Sequence, residues 1–458
     1  MAQIINKTVI YARIIVLFIV IITGLLPVQA QNVPEPDRER LLNGLTILYA
    51  NRPGDPQVLL KLRIQSGAEF DLAGKAGTMA LLADAMFPES TTGEYVAEQL
   101  GGRLDVATSY DAIDVTISGK ATALEQIIDL LRNALVNLNL SAENVATLRE
   151  AKIKKLTQKQ SSISDAANRA IAVRAFGTYP YGHPTEGTVE TVAKIDRADL
   201  MLARDRFLNA DNATLVVIGG VEKSRVMRAA RQILGPWQKS ERIVPATFRQ
   251  PGPIDGHVLL IDQPANNAEV RLAVRGLSRS DPGALAAAVL AAIAGKRWQT
   301  AMPSLSAVSA QHEAHGLKGL FVLGGSVPTG SAAKAIAAAK EAMKAIAESG
   351  PTQQEVSEAI ASRSFISQPK SPDESLADKW LDGETYKIQL STWPVDFNRI
   401  SPADIKRVAG KLFGDPASQA VVVLGNASEL KLQFGDQAEV PATPKKPGNN
   451  SSLPPRKP

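Results

Sequence analysis

Histidine is the side chain that most often binds zinc or carries protons in enzymes, and this 458-residue chain contains four. His312 and His315 lie close together in the run His-Glu-Ala-His. Histidines at that spacing can meet on one helix face, but zinc needs further ligands and none accompanies this pair. We interpret both as surface histidines. His183 belongs to a turn and His257 begins a strand, so neither completes a metal site.

Other kinds of catalysis find little support in the sequence. The chain has no cysteine, which excludes a thiol nucleophile and structural disulfides. It also has no Gly-rich phosphate loop and no nucleophile elbow. The formal charge is +5, but the folded body carries only −1, because both end segments are basic and lack acids. Nucleic-acid binding needs a basic patch on the folded body, so no nucleic-acid partner is expected. The basic end residues are Lys7, Arg13, Lys445, Lys446, Arg456 and Lys457.

The N-terminal segment has the order of a secretory signal peptide, residues 1–30. Lys7 and Arg13 precede an unbroken apolar run over 14–22, and Val28 and Ala30 supply small residues at the two positions that a signal peptidase reads before a cut after Ala30. We therefore predict export, cleavage after Ala30 and a periplasmic mature protein with no stable membrane anchor. A retained anchor is the alternative, because the apolar run can be extended to Leu26, although it is short for a span of about 20 residues.

The body of the chain reads as two copies of one plan. An alternating strand at 58–64 and a buried strand at 213–218 recur as strands at 269–275 and Ala420–Gly425, with helical patterns between them. This order predicts an α+β fold with two similar lobes, each an antiparallel-rich sheet covered by helices. The predicted regions are a signal peptide at 1–30, an N-terminal extension at 31–40, a first lobe at 41–235, a Pro/Gly-rich linker at 236–256, a second lobe at 257–435 and a disordered Pro/Lys-rich tail at 436–458.

Several phrases of the sequence then point to one family. The most specific is Tyr-Pro-Tyr-Gly-His-Pro at 179–184; Ser-Gly-Ala-Glu at 66–69 and Gly-Gly at 101–102 add to it by their order and spacing. From about residue 41 to 425 the chain resembles the insulinase/pitrilysin family of inverted-zincin peptidases, in its shorter two-lobed type, such as mitochondrial processing peptidase subunits. The resemblance implies a duplicated α/β roll.

The resemblance also implies that the zinc site has been lost. Active members carry His-x-x-Glu-His on one helix, where two histidines bind zinc and the glutamate activates water. Here Ala80, Ala83 and Asp84 occupy the matching positions, and the third ligand, a glutamate in the family, falls on Lys154 or Lys155. Alanine has no lone pair, and a lysine ammonium repels a divalent cation. We therefore expect no metal cofactor and no peptidase activity, with Asp84 paired to a nearby lysine.

The second lobe has a comparable loss. Many family members use an Arg and a Tyr there to hold the substrate backbone, and the matching positions in this chain are Thr300 and Ala307. Arg297 is the nearest cation, but the family often has an Arg at that position for packing. A residual peptide-binding role of this lobe is left open.

The function implied by the resemblance is that of a non-catalytic subunit. In this family an inactive chain can pair with a zinc-bearing homologue and enclose extended peptides, which would add as a strand to an exposed sheet edge. The expected partners are therefore that homologue, in a heterodimer, and extended peptides. The alternative is a stand-alone periplasmic peptide-binding or scaffold protein that has no peptidase partner.

Overall fold

The computed structural model describes most of the chain between the predicted signal peptide and the predicted tail. The signal peptide, residues 241–247 of the predicted linker and residues 441–458 lie outside the described residues. No helix within the described part combines the length and the apolar character needed to cross a membrane. The described residues are 33–159, 162–240, 248–263, 265–364, 370–389 and 397–440.

The first lobe is built on a six-stranded sheet in the order β1-β2-β6-β3-β5-β4. Strands β2 and β6 are parallel, and all other neighbours are antiparallel. Val, Ile and Leu dominate the central strands, and β6 is buried along its whole length. The strands are β1 (Asp37–Arg40), β2 (Thr46–Asn51), β3 (Gln57–Ile64), β4 (Leu104–Thr108), β5 (Ile113–Lys120) and β6 (Ala213–Gly219).

Most helices from the first half of the chain pack on this sheet or on one another. Several begin at side-chain caps; Ser162 and Asp196, for example, accept hydrogen bonds from the backbone N–H groups three residues on. The helices are α1 (Thr78–Met86), α2 (Ser90–Glu98), α3 (Leu124–Leu135), α4 (Ala142–Lys159), α5 (Ile163–Phe176), α6 (Val189–Val192), α7 (Arg197–Phe207) and α8 (Lys223–Ile233).

The second lobe repeats the plan with the strand order β12-β7-β11-β8-β10-β9. Strand β7 is parallel to β11 as β2 is to β6, and the β8–β11, β8–β10 and β9–β10 pairs are antiparallel. The strands are β7 (Val258–Asp262), β8 (Asn267–Arg275), β9 (Ser306–Glu313), β10 (Leu320–Pro328), β11 (Ala420–Gly425) and β12 (Ala438–Glu439). The helices are α9 (Ala284–Ala301), α10 (Ala332–Ser349), α11 (Gln353–Ser362), α12 (Pro372–Tyr386), α13 (Pro402–Phe413) and α14 (Ala427–Phe434).

Each half of the chain contributes one helix to the sheet of the other half. Helix α5 of the first half packs on β8 and β11, where Ile171 and Phe176 join a core with Val422 and Leu424. Helix α12 of the second half packs on β3 and β6 of the first sheet. Its side chains Trp380 and Leu381 are fully buried. Neither sheet is therefore covered on both faces by its own half alone.

Charged side chains on the sheets hold the exchanged helices. On β3, Lys61 pairs with Asp378 of α12, and Arg63 lies 2.8 Å from Asp382 of the same helix. At the equivalent register of the second sheet, Arg271 of β8 donates to α5. These contacts join the two halves through polar groups as well as apolar packing.

The predicted α+β class with two similar lobes is confirmed. The domain boundaries given from the sequence stay predictions, but the structure shows what several of the residues next to them form. Asp37–Arg40, assigned to the N-terminal extension, forms the edge strand β1, and Ala438–Glu439, assigned to the tail, pairs with β7. The predicted first lobe contains α5, which packs on the second sheet because its apolar face is complementary to β8 and β11.

Candidate functional site

Helix α1 carries the positions at which the family's zinc motif would lie. Gly77, directly before the helix, has a left-handed backbone (φ +96°) and offers no side-chain cap. Asp71 supplies the cap from a distance, since its carboxylate accepts the N–H groups of Gly77 (2.6 Å) and Met79 (2.8 Å). A carboxylate at a helix N-terminus is stabilising because the exposed N–H groups carry partial positive charge. The start of α1 is thereby fixed.

Two of the expected zinc-motif positions are apolar and enclosed. Ala80 and Ala83 are both buried in the structure. Neither methyl group can bind a metal or accept a proton from water. At these two positions α1 therefore contributes apolar contacts, and it offers neither a metal ligand nor a general base.

The third position, Asp84, belongs to an ion-pair cluster. Its Oδ2 atom lies 3.0 Å from the ammonium nitrogen of Lys152 on α4, and that ammonium also pairs with Glu186 in the turn before α6. The Lys152 side chain is only 2% exposed. Burial disfavours its charge, but the charges of Asp84 and Glu186 outweigh that effect and raise the pKa of Lys152. Asp84 is thus paired with a lysine, in accordance with its sequence-based interpretation.

The lysine in this cluster is not one of the two that the resemblance indicated. Lys154 and Lys155 are both exposed, whereas Lys152, two and three residues earlier, is directed at α1. The match of the family's third ligand to Lys154 or Lys155 stays a prediction. Among the described residues no group of three or more His, Asp or Glu side chains is placed to hold a metal ion.

The two second-lobe positions do not form a polar site. Thr300 lies on the exposed side of α9, where its hydroxyl donates to the carbonyl of Lys296 (2.9 Å). Ala307 is exposed in β9 and has a left-handed backbone (φ +48°), next to a register shift between β9 and β10. Arg297 makes two hydrogen bonds to Glu355 on α11 (2.7 and 2.9 Å), which is a packing contact between helices.

The sheet edge beside α1 is open in the described part of the chain. Strand β4 is the last strand of the first sheet and pairs with β5 alone. It also packs against α1, so the degenerate site and the open edge are neighbours. The outer N–H and C=O groups of such a strand can bind an extended peptide as an additional strand.

A buried polar cluster at the junction of the two lobes was not predicted from the sequence. Asp111, in the turn between β4 and β5, accepts the Gly316 N–H (2.9 Å) and the Tyr386 hydroxyl (2.8 Å), both from the second half of the chain. It also accepts the Tyr181 hydroxyl at 3.2 Å, and Tyr181 accepts the Leu317 N–H. The Tyr-Pro-Tyr-Gly-His-Pro turn thus contributes Tyr181 to this lobe junction.

Two of the histidines lie near the same junction. His312 accepts the Leu277 N–H through Nε2 at 2.9 Å, and burial, aided by His315, lowers the pKa of His312 to about 4. The His315 ring packs against Tyr110 and Tyr181, with ring centroids 4.9 and 4.8 Å away. Both histidines are structural and less exposed than predicted, because His312 packs beside Leu277 of its own lobe and His315 packs against two tyrosines of the first lobe.

Comparisons with known proteins identify the family. The model described as Insulinase (Peptidase family M16) matches residues 46–189, and the model described as Peptidase M16 inactive domain matches residues 194–363. Together the two matches cover more than half of the chain. The chain therefore belongs to the insulinase family of M16 peptidases.

Its similar proteins include both peptidases and proteins of other names. It is 26% identical over 273 residues to human cytochrome b-c1 complex subunit 1, covering 58% of this chain and 56% of that protein. It is 21% identical over 300 residues to a probable mitochondrial-processing peptidase subunit beta of Schizosaccharomyces pombe, covering 61% and 65%. An uncharacterized zinc protease of Rickettsia felis is 20% identical over 216 residues, covering 46% and 52%. The chain thus spans about half to two-thirds of these curated relatives.

Solved structures with low sequence identity share the fold. A peptidase M16 inactive domain from Pseudomonas fluorescens superposes with a TM-score of 0.75 at 17% identity, covering 86% of this chain and 98% of that one. A protease from Helicobacter pylori gives a TM-score of 0.75 at 17% identity, covering 86% and 100%. Both lobes of this chain are therefore arranged as in known M16 structures.

Proposed function

We propose that this chain is the non-catalytic subunit of an exported insulinase-family metallopeptidase. It would pair with a zinc-bearing homologue and help to enclose and bind extended peptides for proteolysis. The observation that carries the proposal is a two-lobed M16 fold in which Ala80, Ala83 and the Lys152-bound Asp84 stand at the positions of the zinc motif. Such a site supplies neither a metal-bound water nor a general base.

The presence of both lobes supports a role in an assembly. The lobe junction around Asp111 and the exchanged helices α5 and α12 keep both lobes in a defined arrangement. No metal site is formed among the described residues, so this arrangement serves no metal chemistry there, but it would present both lobes together to a second chain. Two relatives are named as subunits, of the cytochrome b-c1 complex and of a processing peptidase, which also supports this role.

The open edge of β4 is the proposed contact for peptides. It lies beside α1, which carries the positions of the zinc motif, and it has unpaired backbone groups within the described part of the chain. Strand addition recognises the peptide backbone, so it tolerates many side-chain sequences. The partner would supply the zinc and the chemistry, while this chain orders the peptide and excludes water. In this proposal the mature chain begins at Gln31, after cleavage behind Ala30, and works in the periplasm.

Co-expression with each zinc-bearing M16 homologue of the same organism tests this proposal. We expect one homologue to co-elute with this chain on size-exclusion chromatography, through an interface of more than about 1,000 Å² if the assembly is stable. Adding the purified chain should raise that homologue's rate of cleavage of extended peptides. A homologue variant with its metal-binding histidines replaced should still form the complex but cleave nothing, which assigns the chemistry to the partner.

If no homologue forms a complex and none changes its rate, the subunit proposal is wrong. Retained binding of a fluorescent extended peptide by this chain alone would then support the stand-alone peptide-binding protein.

A further inference from the structure

The ammonium of Lys152 lies where three separate elements of the first lobe meet. Lys152 comes from α4, Asp84 from α1 and Glu186 from the turn that leads into α6. The two carboxylates are 42% and 36% exposed, whereas the lysine side chain is 2% exposed. The cation is thus enclosed by the protein, and its counter-ions form the solvent side of the cluster.

The turn that carries Glu186 is packed tightly against the start of α1. Gly187 has a left-handed backbone (φ +74°), and a Cβ atom there would lie 2.3 Å from the Ala76 carbonyl oxygen, so only glycine fits. The Thr191 hydroxyl donates to the same carbonyl at 2.8 Å. The turn is therefore held close to α1, and this closeness brings Glu186 towards Asp84.

Two carboxylates directed to one place repel each other unless a cation lies between them. In metal-binding proteins a free ion often has that role, bound by acidic side chains from several elements. Here the cation is covalently part of the chain. An ammonium group has three donors and no acceptor, so it can satisfy both carboxylates while excluding a metal ion from the same place.

We propose that Lys152 is a built-in cation that takes the structural place of a metal ion. It holds α1, α4 and the turn at Glu186 together, and it keeps the degenerate site closed to divalent ions. Lys152 is a positioning residue in this account, since it contacts no substrate. The assignment goes beyond the proposed subunit function and holds whether or not a peptidase partner exists.

An ordinary surface ion pair would behave differently. Exposed pairs contribute little to stability because water and salt screen them, and their removal is close to neutral. Removing a buried lysine that bridges two carboxylates takes away the contact that joins three elements and leaves the two negative charges to repel each other, even though water solvates part of each carboxylate. The exposed Lys155 on the same helix provides a matched control, since its loss removes the same charge but no buried contact.

The test is thermal unfolding of the full mature chain with Lys152→Ala, Lys152→Met and Lys155→Ala. We expect the first two variants to unfold about 3–8 °C below the wild type and Lys155→Ala to stay within about 1 °C. Methylammonium chloride should restore part of the lost stability of Lys152→Ala, because the small cation can enter the vacated space. The same concentration of sodium chloride should not, and Lys152→Met, whose side chain fills that space, should not respond.

A second arm tests the exclusion of metal. Mn²⁺ should raise the unfolding temperature of Lys152→Ala but not that of the wild type, and the added change Asp84→Asn should abolish the rise. The proposal is overturned if Lys152→Met is as stable as the wild type, or if methylammonium and Mn²⁺ act equally on the wild type and Lys152→Ala. None of these readouts depends on a partner, so they can fail while the subunit proposal stands.

Discussion

Replacing Asp111 with alanine should lower the free energy of unfolding by about 3–5 kcal/mol, because buried donors from both lobes lose their common acceptor. Asp111 is buried and accepts the Gly316 N–H and the hydroxyls of Tyr181 and Tyr386. Burial, with the charge of Asp111, raises the pKa of both tyrosines, so their hydroxyls stay protonated as donors. Chemical denaturation followed by circular dichroism measures the loss.

Two further variants separate the junction from general effects of removing an acid. Asp105 is exposed on the adjacent strand β4, so Asp105→Ala should change stability by less than about 0.5 kcal/mol. Asp111→Asn keeps the shape and one acceptor, and it should fall between the wild type and Asp111→Ala. Equal stability of Asp111→Ala and Asp105→Ala would show that the junction contributes nothing.

The second large effect concerns pH and Glu69. Burial, together with the charge of Asp111, raises the pKa of Glu69 to about 8 from an ordinary value of 4.5. Between these two values the folded chain keeps a proton that the unfolded chain has released, so the stability of the wild type falls as pH rises. The full difference amounts to about 5 kcal/mol and is reached above pH 8.

Glu69→Gln removes this titration while keeping a neutral side chain of similar shape. The variant should match the wild type within about 1 kcal/mol near pH 5 and become progressively more stable than it up to pH 9. Glu98→Gln, on the exposed side of α2, should follow the wild-type pH profile. If the profiles of Glu69→Gln and the wild type ran parallel from pH 5 to 9, the account of Glu69 would be wrong.

The parts of the fold that sequence predicts well are those with local patterns. The strands near 58–64 and 213–218 alternate or form short apolar runs, and the structure contains both as β3 and β6. No local sequence pattern predicts that α5 and α12 pack on the sheet of the other half. The buried positions of α5 fit a helix on any sheet, and only the three-dimensional arrangement shows that this sheet is the second one.

Some residues of the candidate site could also be predicted from the sequence, and others could not. Ala80, Ala83 and Asp84 could be located from the resemblance because helix spacing fixes them relative to each other. The lysine opposite them depends on the rotation of α4, and Val145, Lys152 and Leu156 share its buried face. That periodicity could have indicated Lys152 as the lysine that faces α1; the match of Lys154 or Lys155 to the family's third ligand is a separate prediction.

The Asp111 cluster offered no comparable signal. Asp111 occupies a hairpin turn, where aspartate is common for local reasons. Its partner Gly316 is 205 positions away in the chain. A contact of that kind depends on how the two lobes pack, which hydrophobic periodicity does not encode.

The central claim, that this M16 chain has no metal chemistry of its own, is tested most directly by elemental analysis of the purified mature protein, expressed without a metal-binding tag. The account predicts far less than one zinc per chain, because Ala80, Ala83 and the Lys152-bound Asp84 leave no ligand set, and no cleavage of extended peptides by the same sample. Stoichiometric zinc accompanied by peptide cleavage would contradict it.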